Sequence, residues 1–320
     1  MHGRAAAPGA GTVLNALATG TGSAFALDVE TAATVELTPD GDAVVGAVAD
    51  EPGADTTLIE RCVTSTVAAH GHRSSTLADA GVDVAADATP TALPLGGTVR
   101  TESEVPLAAG LKSSSAAANA TVLATLSALG LAEAVEPVDA CRLGVRAARD
   151  AGVTVTGAFD DASASMLGGV TLTDNGADEL LARDSPAAMW ADDEGHGEDD
   201  APSALVWTPP ERAYSADADV DRCERVAPVA RTVASLARQR RYVEAMTVNG
   251  FAFSAALGFD AGPAVEALPA AEGVSLSGTG PSVVAVGEES ALSTVAEAWG
   301  DRPGAVLRTQ VRATGATVTD

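Results

Sequence analysis

The feature that most constrains this chain is a glycine- and serine-rich run between a strand pattern and a helix pattern. Over residues 97–105, Val99 and alternate positions after it share one face, whereas Arg100 and its alternates share the other. A period of two predicts a strand with one buried face. The run PLAAGLKSSS follows, and apolar residues at helical spacing then predict a helix over residues 114–129.

A strand–loop–helix segment of this kind is suited to binding an anion. Backbone N–H groups in the loop and the positive end of the helix dipole point at one place, where a phosphate would be stabilised. Lys112, the only lysine beside 18 arginines, lies in this loop. Leu111 stands where a Walker-type loop has glycine, so that loop type is disfavoured. The simpler alternative is a serine capping an ordinary helix.

The charge balance narrows the classes of partner. Nineteen basic residues against 44 acidic ones give a net charge of −25, which argues against nucleic acid and anionic membranes as partners. High salt would screen the self-repulsion, so the composition is typical of a salt-loving organism. No apolar segment is long enough for a membrane span, and the N-terminal residues lack the apolar region of a signal peptide, so we expect a cytoplasmic protein.

Two further segments carry candidate chemistry. Asp160 and Asp161 are adjacent after a glycine, and two carboxylates suit a general base or a metal ligand. The alternative is a solvated turn in an acid-rich chain. Residues 277–282, SGTGPS, form a second glycine-rich loop, and the apolar run over residues 283–286 predicts a strand after it.

Together these segments resemble the GHMP kinases. The second motif of that superfamily is roughly P-x-x-x-G-L-G-S-S-A. It is matched here except that Lys112 replaces the second glycine and Ser115 precedes the alanine run. Residues 277–282 resemble the third motif, and residues 8–15 occupy the place of the first. Within the superfamily the full chain resembles the archaeal shikimate kinases, mainly over residues 3–28, 106–120, 151–169 and 276–282.

The resemblance implies an α+β fold of two domains, residues 1–168 and 169–320, with the active site in the cleft between them. It implies transfer of the γ-phosphoryl group of ATP to the 3-hydroxyl of shikimate, with Mg²⁺ as cofactor. The alternatives are another small-molecule GHMP kinase, acting on homoserine or pantoate, and a non-catalytic nucleotide-binding protein on the same fold. Oligomeric state is left open.

The resemblance also implies roles for particular residues. Asp161, or Asp160 in a different register, would accept or orient the proton of the substrate hydroxyl. Lys112 would neutralise phosphate charge, and Ser114, with Asp150, would bind Mg²⁺. The nucleotide-binding residues would be Pro106, Leu107, Ala108, Ala109, Gly110, Leu111, Lys112, Ser113, Ser114, Ser115, Ala116, Gly278 and Gly280.

An arginine should pair with the shikimate carboxylate. Three arginines cluster at positions 238, 240 and 241, but Arg4 and Arg100 are alternatives, and the cluster can equally be a helix face that balances acidic neighbours. Helices are predicted over residues 57–70, 137–151, 222–238 and 242–257. The acidic residues 192–200 predict an exposed loop.

Overall fold

Two β-sheets and nine α-helices make up the described part of the chain. The computed structural model describes residues 1–39, 41, 43–76, 95–154, 158–190, 200–213 and 218–319. The helix–sheet mixture confirms the predicted α+β class. Almost all of the acidic segment 192–200 lies outside the described residues.

The larger sheet has seven strands built around a long antiparallel pair. Strands β1 (His2–Leu14) and β2 (Thr21–Pro39) are joined through Asn15 and a 3-10 turn, and pair from His2 opposite Glu36 to Leu14 opposite Ser23. The sheet order is β11-β1-β2-β4-β3, while β5 pairs with the early part of β2 and β6 pairs with β5. The other members are β3 (Val44–Val48), β4 (Leu95–Ser103), β5 (Val170–Asp174), β6 (Glu179–Asp184) and β11 (Thr317–Val318).

The smaller sheet has four antiparallel strands in the order β10-β7-β9-β8. Its strands are β7 (Ser203–Thr208), β8 (Gly273–Leu276), β9 (Val283–Gly287) and β10 (Ala305–Gln310). The strand predicted at residues 283–286 is therefore confirmed. Strands β5 and β6 and the C-terminal β11 return to the larger sheet, and the division at residues 168/169 stays a prediction.

Helices cover the sheets and divide the interior into two main cores. Their bounds are α1 (Thr57–His70), α2 (Ser113–Ala128), α3 (Pro137–Asp150), α4 (Phe159–Leu167), α5 (Val220–Glu224), α6 (Ala227–Arg238), α7 (Tyr242–Leu257), α8 (Gly262–Ala267) and α9 (Glu289–Gly300). The first core packs α1 to α4 on the larger sheet. The second packs α6 and α7 between the two sheets, around Phe25, Phe253 and Met246.

One helix prediction is wrong. The segment predicted as a single helix over residues 222–238 is two helices, α5 and α6, separated at Arg225 and Val226. The physical reason is Pro228 in the first turn of α6. Proline has no N–H to donate, and its ring collides with the carbonyl four residues earlier, so a continuous helix is broken there.

The alternation in β4 follows the prediction from Val99 to Glu102, whereas Ser103, predicted on the buried face, is exposed at the end of the strand. Val99 and Thr101 are buried, whereas Arg100 and Glu102 are exposed and form an ion pair. Within the described ranges, no helix combines the length and apolarity that a bilayer span requires.

Candidate active site

A single cavity of about 700 Å³ collects the predicted motifs. It is bounded by the loop before α2, the N-terminal end of α4, the end of β1 with its 3-10 turn, and the loop between β8 and β9. Segments that are far apart in the sequence therefore meet at one place. On volume alone the cavity can hold a nucleotide and a small acceptor, because ligand pockets range from about 300 to 1,000 Å³.

The loop before α2 adopts the geometry that its glycine content predicted. Helix α2 begins at Ser113, after Lys112 in the left-handed region with φ 65°, and no side chain caps the helix. The first-turn N–H groups are therefore not satisfied by a serine cap. Ser113 and Ser114 line the cavity at the positive end of the helix. The capping alternative is thus not what the structure shows.

The glycine-rich loop over residues 277–282 is bonded to the loop before α2. Ser277 Oγ donates to the Gly110 carbonyl oxygen at 2.8 Å, and the N–H of Ser282 donates to the Ala109 carbonyl oxygen at 3.3 Å. Gly278, with φ 56°, lies directly against Lys112, since a Cβ atom there would be 2.5 Å from Lys112 Nζ. The second loop thereby sets the position of the lysine.

The N-terminal segment holds the same loop from the other side. Thr12 Oγ1 accepts from the N–H of Gly278 at 2.8 Å, and Asn15 Nδ2 donates to the Gly278 carbonyl oxygen at 2.8 Å. The N–H of Asn15 donates to Oδ1 of Asn249, a buried residue of α7, at 2.9 Å. Sequence reasoning missed Asn249, and its place in a helix pattern offered no local signal.

Lys112 forms a nearly buried ion pair. Its Nζ lies 2.6 Å from Asp161 Oδ1, and the two side chains are only 6% and 17% exposed. Charges so far removed from water interact more strongly than surface pairs. The pair joins the loop before α2 to the first turn of α4.

Asp160 lies deeper than Asp161. It is 5% exposed, lines the cavity, and accepts a hydrogen bond from Asn175 Nδ2 on its Oδ1 at 2.7 Å. Burial, and then the negative charge of Asp161, raise the pKa of Asp160 to about 7, against the lowering effect of Lys112 and of the Asn175 hydrogen bond. The two adjacent carboxylates lie at the buried start of a helix and do not form a solvated turn.

The cavity contains one arginine among the described residues that line it, Arg212. The next residue, Ala213, donates its N–H to the Ala108 carbonyl oxygen at 3.1 Å, which holds this segment at the loop before α2. The cluster considered from the sequence lies elsewhere. Arg240 pairs with Asp184 at 2.8 Å, and Arg241 pairs with Glu244 at 2.7 Å.

Not every residue predicted for the site faces the cavity. Asp150 is the exposed last residue of α3 and is absent from the described cavity lining, so its metal-binding role stays a prediction. Leu107, Ala108, Gly110, Lys112, Ser113, Ser114 and Gly278 do line it. The described lining leaves out Pro106, Ala109, Leu111, Ser115, Ala116 and Gly280.

Comparison with known proteins supports this assembly. Residues 62–169 match the model of the GHMP kinases N terminal domain. The chain is 58% identical to the shikimate kinase of Halobacterium salinarum over 319 residues, which is 100% of both chains. The chain belongs to the archaeal shikimate kinase family. Within that family it is 46% identical to the shikimate kinase of Methanothrix thermoacetophila, over 97% of this chain and 94% of the relative.

Solved structures of low sequence identity show the same fold. The homoserine kinase of Cytophaga hutchinsonii superposes with a TM-score of 0.71 at 17% identity, covering 99% of this chain and 97% of the other. The mevalonate kinase of Methanococcus jannaschii superposes with a TM-score of 0.70 at 11% identity, covering 97% and 98%. The predicted GHMP kinase fold is confirmed for this member of the archaeal shikimate kinase family.

Proposed function

We propose that this chain transfers the γ-phosphoryl group of ATP to the 3-hydroxyl of shikimate, giving shikimate 3-phosphate and ADP. The observation that carries the proposal is the convergence of Lys112, Asp160 and Asp161 on the cavity formed by two glycine-rich loops. Phosphoryl transfer requires mainly positioning and charge neutralisation, and this cavity offers both. The sequence identity of the chain to shikimate kinases over its full length indicates that shikimate is the acceptor.

The phosphates lie at the N-terminal end of α2 in this proposal. Backbone N–H groups from Gly110 to Ser115 stabilise their oxygens through the helix dipole. Lys112 neutralises the negative charge that builds on the bridging oxygens, and Gly278 keeps its Nζ close to the loop. The 277–282 loop shapes the phosphate end of the cavity.

The acceptor hydroxyl meets the two carboxylates. Asp161 accepts or orients the hydroxyl proton, and its Oδ1 lies 2.6 Å from the Lys112 ammonium. Asp160 lies beside it as a second acceptor for a substrate hydroxyl. Both carboxylates begin α4, so a small movement of that helix would change their distance to the phosphates together.

The donor atoms in the cavity fit Mg²⁺. Hydroxyl and carboxylate oxygens are ligands that Mg²⁺ prefers, and Ser114 presents a hydroxyl where the phosphates would lie. Ser114 would hold the ion together with phosphate oxygens. When bound, Mg²⁺ neutralises phosphate charge. Asp150 is exposed at the end of α3, so the proposed ion relies on Ser114 first.

Arg212 is proposed as the partner of the shikimate carboxylate. A guanidinium can bind a carboxylate with two parallel hydrogen bonds, and no described residue forms an ion pair with Arg212. Its backbone is held at the loop before α2 through Ala213. The carboxylate would thus be fixed at the cavity wall while the ring hydroxyl faces α4.

The test is ADP release at high KCl with ATP and Mg²⁺, with shikimate, homoserine, pantoate and mevalonate offered in parallel. We expect turnover with shikimate alone, and a phosphorylated product of the matching mass. Turnover with another acceptor would contradict the substrate while retaining the phosphate site. Absence of turnover with all four would contradict the proposed activity.

A further inference from the structure

The Asn175 side chain forms two hydrogen bonds with Asp160, although Asn175 lies outside the sequence motifs. It lies immediately after β5, is 3% exposed, and belongs to none of the segments that resemble the GHMP motifs. Its Oδ1 accepts from the backbone N–H of Asp160 at 3.0 Å, and its Nδ2 donates to Asp160 Oδ1 at 2.7 Å. One amide therefore holds both the backbone and the carboxylate of Asp160.

The orientation of this amide is determined by the groups that face its oxygen. The backbone N–H of Asp160 can only donate, so the atom that it meets must be the amide oxygen. Thr173 Oγ1 lies 2.8 Å from the same oxygen, and its one proton can go there or to the Gly22 carbonyl oxygen at 3.3 Å. An amide rotated by 180° would place its NH₂ group against the Asp160 N–H. The NH₂ group of Asn175 must then point at the carboxylate, and Asp160 can accept that bond most strongly when ionised.

The other side of the Asp160 carboxyl is closed by backbone. A Cβ atom on Gly22 of β2 would lie 2.5 Å from Asp160 Oδ2 and 2.6 Å from its Cγ. The carboxyl group is thus enclosed between the Gly22 backbone and the Asn175 amide, and it still lines the cavity. Few orientations remain for it. The charged groups that face it are Asp161 on α4 and Lys112 from the loop before α2.

We propose that Asn175 is a positioning residue of the phosphotransfer site, which acts by fixing the Asp160 carboxylate toward the acceptor. This proposal rests on the proposed function, since it needs an acceptor hydroxyl at Asp160. Thr173 belongs to the same unit because its hydroxyl contacts the amide oxygen that accepts from the Asp160 N–H. Asn175 and Thr173 together explain why the buried Asp160 carboxylate is held at the cavity wall in one orientation.

The consequence for proton binding follows from the hydrogen bond. The Asn175 bond lowers the pKa of Asp160 against the raising effect of burial and of Asp161. Without the bond the pKa of Asp160 rises, and a larger share of the enzyme is protonated at neutral pH. A residue with a purely structural role would change stability and leave the pH dependence in place.

The experiment compares Asn175→Leu, Thr173→Val and Thr173→Ser with the unaltered enzyme, by kcat/KM for shikimate from pH 5.5 to 9 at high KCl. We expect Asn175→Leu to lower kcat/KM about 10- to 100-fold at neutral pH and to move the acidic limb of the profile to higher pH. Thr173→Val should move the limb in the same direction by less. Thr173→Ser keeps the hydroxyl and should retain the original limb.

Asn119→Leu is the matched control. Asn119 is equally buried and donates to the Ala162 carbonyl oxygen of helix α4 at 2.8 Å, and its side chain forms no described hydrogen bond with either carboxylate. We expect it to lower the melting temperature without moving the acidic limb. A limb that is unchanged in both Asn175→Leu and Thr173→Val, with only a lower melting temperature, would overturn the proposal.

A second arm separates this proposal from the proposed function. In an Asp160→Asn background, Asn175→Leu should lower kcat/KM no further, because the carboxylate on which it acts has gone. Full additivity of the two losses would overturn the proposal. If the unaltered enzyme turned over homoserine and not shikimate, the proposed function would fail, and the same variants would be tested with that acceptor.

Discussion

The Nζ of Lys112 and the Oδ1 of Asp161 lie 2.6 Å apart, although one residue precedes α2 and the other is in the first turn of α4. The pair links the loop before α2 to the first turn of α4, which are the proposed phosphate and acceptor ends of the cavity. Because each partner is largely buried, removing either leaves a charge without compensation, which typically costs about 3–5 kcal/mol.

Replacement of Lys112 by methionine is expected to lower kcat about 100-fold or more, because it removes the ammonium from the phosphate site. The measurement is ADP release, with circular dichroism to show that the variant is folded. Arg149→Met is the control. Arg149 Nη2 lies 2.6 Å from Asp178 Oδ1, and neither residue belongs to the described cavity lining. Unchanged turnover in Lys112→Met would remove this lysine from the mechanism.

Single substitutions distinguish the roles of the two adjacent aspartates. Asp161→Asn is expected to lower kcat about 10²- to 10⁴-fold while nucleotide affinity is roughly retained, since general base contributions are of that order. Nucleotide affinity is measured by binding titration and kcat by product formation. A loss of that size in Asp160→Asn alone, with Asp161→Asn near normal, would assign the hydroxyl proton to Asp160.

The raised pKa of Asp160 predicts how stability changes with pH. The folded state holds this proton up to about pH 7, whereas the unfolded state releases it near 3.8, so this group lowers the free energy of unfolding as pH rises between those values. Asp160→Asn should then raise the melting temperature at pH 8 relative to the unaltered protein, and have less effect at pH 5. The pH-dependent gain is at most about 4 kcal/mol.

Thermal unfolding at both pH values, in the same high KCl, measures this difference. If Asp160→Asn raised the melting temperature equally at pH 5 and pH 8, burial would not raise the pKa of Asp160. The same titration should appear as an acidic limb near pH 7 in kcat/KM of the unaltered enzyme.

Arg212→Ala is expected to raise KM for shikimate about 10- to 100-fold and to leave KM for ATP nearly unchanged, because a charge-assisted pair with a carboxylate contributes about 1.5–3 kcal/mol. Initial rates with each substrate varied in turn measure both constants. Arg240→Ala serves as the control, since it removes an arginine that is 72% exposed and bonded to Asp184. A rise in KM for ATP instead would place Arg212 at the phosphates.

Gly278→Ala tests the contact that holds the lysine. Its Cβ would lie 2.5 Å from Lys112 Nζ, so the ammonium must move and kcat should fall at least 10-fold. Gly53→Ala also places an alanine at a positive φ, 91°, but its Cβ would have no atom within 4 Å. Equal kinetic losses in the two variants would attribute the effect to strain instead of to displacement of Lys112.

The sequence predicted those parts of the fold that depend on local patterns. Helices α1 and α7 have the predicted bounds, 57–70 and 242–257, because their spacing and their ends are encoded within the segment. The break between α5 and α6 was missed because the apolar spacing continues across Pro228. The family and its fold were also predicted, since the motifs stand in their order along the whole chain.

The site was predicted less completely, because its contacts join distant segments. The Lys112–Asp161 pair needs α2 and α4 to begin at the same cavity, which no spacing within either motif encodes. Asn175 and Asn249 carry no motif, and Arg212 was not among the arginines considered. Each acquires its position through sheet pairing or helix packing, as Asn175 does through β5 against β2.

The sequence has one lysine, Lys112, and it lines the cavity, so a label on a lysine side chain can be assigned to one position. Apart from the N-terminal amine, every amine-directed reagent has one target on this chain, Lys112, and that target is 6% exposed beside Asp161. Because Lys112 lies in the proposed nucleotide site, reductive methylation followed by intact-mass measurement should give a labelled fraction that ATP lowers. The fraction of chains labelled at Lys112 would then measure the fraction of sites that are free of ATP.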